Sequence, residues 1–274
     1  MAYSNVDLKV ALKELSEHFN LVSSNNYKKS SSHILSSISK PVHSKKNTIN
    51  TQIYSTLFNY CRGLDKNSLS YLLSNKRNLS LSTIKRFGLF TIKDYKKTST
   101  YLKNNFSIES LKNSGLLNDA GNLIFYRHRL IIPFFKNGKI VYLRGRYFYN
   151  NSSITSGCKY LGLNSIKSKR IFNVDTLNNL KIHEDLYLTE GEFDCMVLSQ
   201  EGFASVGILG VNNIDESIIK ELIDYNVILC FDNDQAGLSS SMKIGQMFYD
   251  LGRCVRIKRL PSDKKDITEY FMEY

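Results

Sequence analysis

Asp232 and Asp234 stand two residues apart at the end of an apolar run, in the segment ILCFDNDQAG at 228–237. Glu190 holds the same place after Tyr187, Leu188 and Thr189, with Gly191 making the turn and Asp194 one helical turn on. Asp263 and Asp266 follow CVRIKRLP, a third strand-like run. In open sheets flanked by helices, ligands bind outside the carboxyl ends of the strands. If the three runs are parallel neighbours, their acids converge on one edge. Clustered carboxylates repel one another unless positive charge lies between them. A site built from hard oxygen ligands selects Mg²⁺ or Mn²⁺, and such ions serve phosphoryl chemistry by activating the attacking oxygen and stabilising the leaving one. No Cys or His joins the cluster, which argues against zinc. The competing reading is local: Asp and Asn after a strand form turns, and Asp-Asn-Asp could cap a helix starting near Leu238. Three acidic strand ends in succession, two of them beside Gly turns, favour a site. Asn233 points to the opposite side if strand alternation persists, and is expected to tolerate Ala with modest loss.

The elements around these acids follow from periodicity. The last ninety or so residues alternate strand and helix (LYLTEG, EFDCMVLSQEG, FASVGILG, DESIIKELIDYN, VILCF, GLSSSMKIGQMFYDLG, CVRIKRL), the pattern of a parallel sheet with helices on its faces. Upstream, NLIFYRHRLIIPFFKNGKIVYLRGRYF reads as strands punctuated by Pro133, with Asn137-Gly138 as a hairpin turn. This stretch and its continuation carry Arg127, Arg129, Lys136, Lys139, Arg144, Arg146, Lys159, Lys167, Lys169 and Arg170, with Tyr142, Tyr147, Phe148 and Tyr160 among them. Cations interleaved with aromatics suit a groove for single-stranded nucleic acid, where rings stack bases and cations follow phosphates. A half-exposed antiparallel sheet with one solvated face is the alternative. From about Ile53 to Lys112 the pattern is helical, with Ser and Asp as N-caps. Residues 6–19 predict a short amphipathic helix, followed by a Ser/Asn/Lys-rich linker. The expected organisation is a helix and basic arm over 1–50, an α+β subdomain over 51–180, and an α/β domain with a central, mostly parallel sheet over 181–274.

Bulk composition sets the class. The chain has 274 residues, 42% of them hydrophobic, with three prolines, which suits one large or two modest folded domains. A net charge of +12 suggests a polyanionic partner, although a lysine-rich surface from biased base composition has the same signature. The longest apolar runs are short strands, too short for a membrane span. The N-terminus lacks the order of regions that makes a secretory signal. Five dispersed cysteines without zinc spacing fit reduced thiols in a cytoplasm.

TEGEFD, then FDNDQAG, then KDITEYF resembles the Toprim domain shared by bacterial-type primases, topoisomerases and some nucleases. The resemblance implies site residues at Glu190, Asp194, Asp232, Asp234 and Asp266. Upstream, LSTIKRFGLF, SLKNSGLLNDAGN, YRHRLIIPFFKNGKIVYLRGR, KYLGLN and KRIFNVDTL come in the order of the catalytic core of bacterial and phage DNA primases. The likeness covers about residues 60–274. It departs from that family in three ways. The cysteine count leaves no zinc-binding module, Thr268 stands where the last acidic motif usually has its second Asp, and the following helicase-binding domain is expected to be absent.

The resemblance implies a DNA primase-like RNA polymerase core that uses Mg²⁺ or Mn²⁺, without zinc, to join NTPs on a single-stranded DNA template. Asp232, Asp234 and Asp266 are the implied metal ligands. Glu190 is open between ligand and general base, and Asp194 between ligand and a structural partner of Arg or Lys. Arg127, Arg129, Arg144, Arg146, Lys159, Tyr160, Lys169 and Arg170 are assigned to template or triphosphate. A replicative helicase or a separate zinc-binding module is the expected protein partner, and a phage or mobile element in a bacterial cytoplasm the expected setting. Two other functions compete. A Toprim nuclease coupled to an ATPase would need a phosphate loop, which is missing, and a topoisomerase would need further domains with a nucleophilic Tyr. A non-catalytic replication accessory protein is the reading from another class.

Overall fold

The computed structural model describes residues 43–148, 158–163, 170–210 and 214–273. The expected helix at 6–19 and the residues Lys167 and Lys169 lie outside them.

The first part begins with helix α1 (His43–Cys61), so 43–50 are helical rather than part of an arm. Ile53, Tyr54 and Leu57 lie on one side of it and are fully buried. The short helices α2 (Lys66–Leu73), α3 (Leu81–Arg86), α4 (Tyr95–Asn105) and α5 (Ile108–Asn113) each start at a Ser or Asp whose side chain accepts a first-turn N–H. Those caps satisfy donors that a helix start otherwise leaves open. Strands β1 (Phe90–Thr91), β2 (Leu130–Lys136), β3 (Lys139–Arg146) and β4 (Tyr160–Gly162) form an antiparallel sheet in the order β1-β2-β3-β4. The turn between β2 and β3 has positive φ at both Asn137 (52°) and Gly138 (68°), as the Asn-Gly pair predicts. Its N–H groups donate to the two oxygens of Asp175 at 2.5 and 2.8 Å, which ties the hairpin tip to the segment entering the second part.

The second sheet runs β5 (Ile171–Phe172), β7 (Ser205–Ile208), β6 (Asp185–Thr189), β8 (Asn226–Cys230), β9 (Arg256–Ile257). β6 is parallel to β7 and β8, β8 is parallel to β9, and only β5 is antiparallel. β5 therefore draws residues before 181 into this sheet. Side chains alternate between the two faces. Leu186, Leu188, Val227 and Leu229 pack with helices α7 (Glu216–Leu222) and α8 (Gln235–Asp250). Ile228 and Cys230 face α6 (Glu192–Gln200) and α9 (Ile267–Tyr270). That second core also takes in Leu72, Phe87, Leu130 and Phe134, so the two parts share one hydrophobic interior.

The third strand is shorter than the periodicity of CVRIKRL suggests. β9 ends at Ile257, and Asp266 does not follow a strand but caps α9, accepting the Glu269 N–H at 2.9 Å. Asp263 is exposed and pairs with Lys264.

Candidate active site

Thr189 and Cys230 are register partners on parallel neighbours, so Glu190 and the 232–234 segment leave the sheet at the same edge. Asp232 lies at the centre of the acids. Burial raises its pKa first, then the charges of Asp266 and Asp234, while Lys265 opposes them. Glu190 is raised by burial and then by Asp232 and Asp234, and its Oε1 is buried without a hydrogen-bond partner. Asp194, in the first turn of α6, accepts a hydrogen bond from the Thr268 hydroxyl at 3.1 Å. Burial, then Asp266 and Asp232, push it up to about 7. Thr268 is thus a direct partner of Asp194, and the Arg77 charge acts on the same carboxyl. Asp234 is exposed and caps α8, accepting the Gly237 N–H at 2.8 Å. The capping reading of Asp-Asn-Asp is therefore correct for one oxygen of Asp234, and it coexists with the acidic edge. Gly237 has a separate reason to be glycine: a Cβ there would lie 2.0 Å from the Asp232 carbonyl oxygen, so only glycine lets α8 start beneath Asp232.

Among the described residues, no three Asp, Glu, His or Cys side chains close into a cage for a cation. Two of the acids, Asp234 and Asp266, also cap helices. The donor set nonetheless fits Mg²⁺ or Mn²⁺, which bind through one or two carboxylates plus phosphate oxygens and water. The unpartnered Glu190 oxygen and the raised carboxyls of Asp232 and Asp194 are groups that such a cation would satisfy.

This electrostatic frustration has a pH signature. Between its ordinary value of 3.8 and about 7, folded Asp194 holds a proton that the unfolded chain has released. Its contribution to stability therefore falls as pH rises through that window. The metal-free melting temperature should drop from about pH 5 to 8 more steeply than that of Asp194→Asn, and millimolar Mn²⁺ should recover more at the upper end. Parallel pH profiles for the two proteins would count against the account.

The cationic residues divide into two groups. Arg146 and Arg144 lie on β3, with Tyr160 opposite Arg146 and Gly162 opposite Arg144. Both guanidinium groups stack on Tyr160, at 4.3 and 4.1 Å from the ring centre. Arg146 is buried, with its Nε unpartnered. Arg144 donates to Glu192 at 2.7 Å, a carboxylate only 1% exposed. Arg144 is thus half-buried and paired within the protein. Arg170 stacks on a different ring, Tyr142, and burial lowers its pKa while Tyr54 and Tyr142 oppose that shift. Lys159 and Arg127 are exposed, and Arg129 is half-buried with its Nε on the Tyr126 carbonyl at 3.0 Å. Lys169 lies outside the described residues.

Two functional candidates were not visible in the sequence. Arg77, in the polar loop SNKRNLS, places its guanidinium 4.4 Å from the centre of the Phe193 ring, and its charge offsets a small part of the rise at Asp194. Nothing in its local pattern marks it. Glu192 sits inside the acidic motif itself, where its pairing with β3 has no local signal.

Comparison with known proteins agrees with this geometry. Residues 54–178 match the family model for the N-terminal domain of the DNA primase catalytic core, and residues 187–271 match a Toprim-like model. A DNA primase of Thermotoga maritima is 28% identical over 227 residues, which is 78% of this chain and 39% of that protein. This chain therefore spans about two fifths of the length of that curated relative. The fold is that of the Aquifex aeolicus primase (zinc-binding and RNA polymerase domains), with a TM-score of 0.68 at 18% identity over 97% of this chain and 64% of that one. It is also that of a DnaG primase catalytic domain bound to ssDNA, with a TM-score of 0.64 at 21% identity over 81% of this chain and 76% of the other. With both domains matched in order, the chain belongs to the DNA primase family, as a catalytic core with a Toprim domain.

Proposed function

We propose that this chain synthesises RNA primers on single-stranded DNA by metal-dependent nucleotidyl transfer. The observation that carries the reading is the Arg144–Glu192 bridge. It ties the basic strand β3, whose Arg144 also stacks on Tyr160, to the chain two residues after Glu190. The binding of ssDNA by a relative of the same fold supports the template assignment. Asp232, Asp234 and Asp266 would hold Mg²⁺ or Mn²⁺, with Glu190 as a further ligand or as the base. A cation held there would activate the attacking hydroxyl and neutralise the leaving pyrophosphate. Arg146 and Arg77 would orient the incoming triphosphate, and the exposed Lys159 and Arg127 would follow the template backbone. A replicative helicase or a separate zinc-binding module would deliver the template in the bacterial cytoplasm.

The test is incorporation of labelled NTPs on single-stranded DNA with Mg²⁺ or Mn²⁺, with and without a helicase and a zinc-binding module. No product under any of these conditions would remove the reading. Lys159→Ala should weaken DNA binding and reduce the salt dependence by about one unit of slope, because one fewer counterion is released. An unchanged slope would place the phosphate contacts elsewhere.

A further inference from the structure

Asn233 has more hydrogen bonds than a turn residue needs. Its side-chain amide lies 3.0 Å from the Pro261 carbonyl and 3.1 Å from the Lys264 carbonyl, with the Leu260 carbonyl at 3.4 Å. Its backbone N–H donates to the Lys265 carbonyl at 2.7 Å. An amide NH₂ has two protons, so the two shorter contacts use its full donor capacity. All four partners belong to one stretch, the connection between β9, which ends at Ile257, and α9, which starts at Ile267. That connection lies outside both the strand ladder and the helix, and it delivers Asp266. Leu260 and Ile267 anchor the two ends of the connection in the core, and Asn233 is the side chain that ties the stretch between them, which delivers Asp266, to the Asp232 loop.

We infer that Asn233 is a positioning residue. It latches the 260–265 segment to the Asp232 loop and so sets where Asp266 stands relative to Asp232, an inference that rests on the metal-dependent reading above. The chemistry requires a donor at this position. Carbonyl oxygens face the side chain, so Asp, which has the same shape but only accepts when ionised, repels them. This reverses the expectation that Asn233 tolerates Ala. Groups that orient metal ligands without touching the metal typically change affinity 10- to 100-fold when removed.

The experiment uses the full chain as wild type, Asn233→Ala, Asn233→Asp and Asp232→Ala, with Mn²⁺ titration, hydrogen exchange and steady-state incorporation. Asn233→Ala should bind Mn²⁺ about 10- to 100-fold more weakly. Exchange at the Lys264 and Lys265 amides should accelerate at least about tenfold, while the β6 and β8 amides keep their protection. Asn233→Asp should loosen the same amides at least as much, although its shape is unchanged. kcat should fall further than KM for NTP rises, because a misplaced ligand disturbs the reacting atoms more than nucleotide binding. Unchanged exchange at 264 and 265 in both variants overturns the latch. Faster exchange with Mn²⁺ affinity intact overturns the positioning role. Failure of the underlying reading is distinguishable, as equal Mn²⁺ binding by wild type and Asp232→Ala. It overturns the positioning role and leaves the exchange contrast to report the latch alone.

Discussion

Asp232→Ala is expected to reduce nucleotide incorporation by about a thousandfold or more, the scale on which groups acting as one catalytic unit fail. Asp232 is the carboxyl through which the acids couple, since Asp266 and Asp234 raise it and it in turn raises Glu190 and Asp194. Its own loss costs little folding energy, because it has like-charged neighbours and removal relieves repulsion. Asp234 needs a different substitution. It caps α8, so Asp234→Ala would also lose about 0.5–2 kcal/mol of helix stability. Asp234→Asn keeps an accepting oxygen for the Gly237 N–H and removes only the charge. It should lose incorporation to a similar degree with the melting temperature nearly unchanged, and the Asp232→Ala/Asp234→Asn double variant should be no worse than either alone. Primer synthesis at wild-type rate by Asp234→Asn, with metal affinity retained, would reduce FDNDQAG to a turn and a cap.

Arg144→Ala is expected to give the largest loss of stability. Its partner Glu192 is 1% exposed, and the Arg144 side chain is 20% exposed. Removing one member of a buried pair leaves an uncompensated charge and typically costs about 3–5 kcal/mol. For a chain of this size that corresponds to a fall of roughly 10 °C in melting temperature. Stacking on Tyr160 is lost as well, so Arg144→Lys should rescue only part of the effect. Replacing both partners by Met should recover most of it, since apolar side chains carry no unpaired charge into the interior. Thermal unfolding of the four proteins checks this. An Arg144→Ala protein within about 0.5 kcal/mol of wild type would show that water screens the pair, the behaviour of surface ion pairs.

What could be read in advance shows a clear physical division. The parallel sheet, its helices and the Asn137-Gly138 hairpin were legible because each rests on local signals: a period of two or 3.6, and the left-handed backbone that Asn-Gly adopts. Glu190 and Asp232 were legible because an acid directly after a buried strand must emerge at the sheet edge. Asp266 was identified with the wrong neighbour, since β9 stops at Ile257 and the acid arrives through a loop that follows no period.

The amino-acid sequence by itself determined which edge of which sheet carries the carboxylates, because strand polarity and alternation are properties of the chain near each residue. Only the tertiary structure decided how charges are shared across the molecule. Arg144 and Glu192 are 48 positions apart, Asp194 and Thr268 are 74 apart, and Asn233 reaches back from Lys264 across 31. Pairing over such separations depends on how two sheets and their connecting loops pack. A cation on a strand shows neither its burial nor its partner in the local pattern, and half-buried Arg144 finds its partner, Glu192, only through the packing of the two sheets.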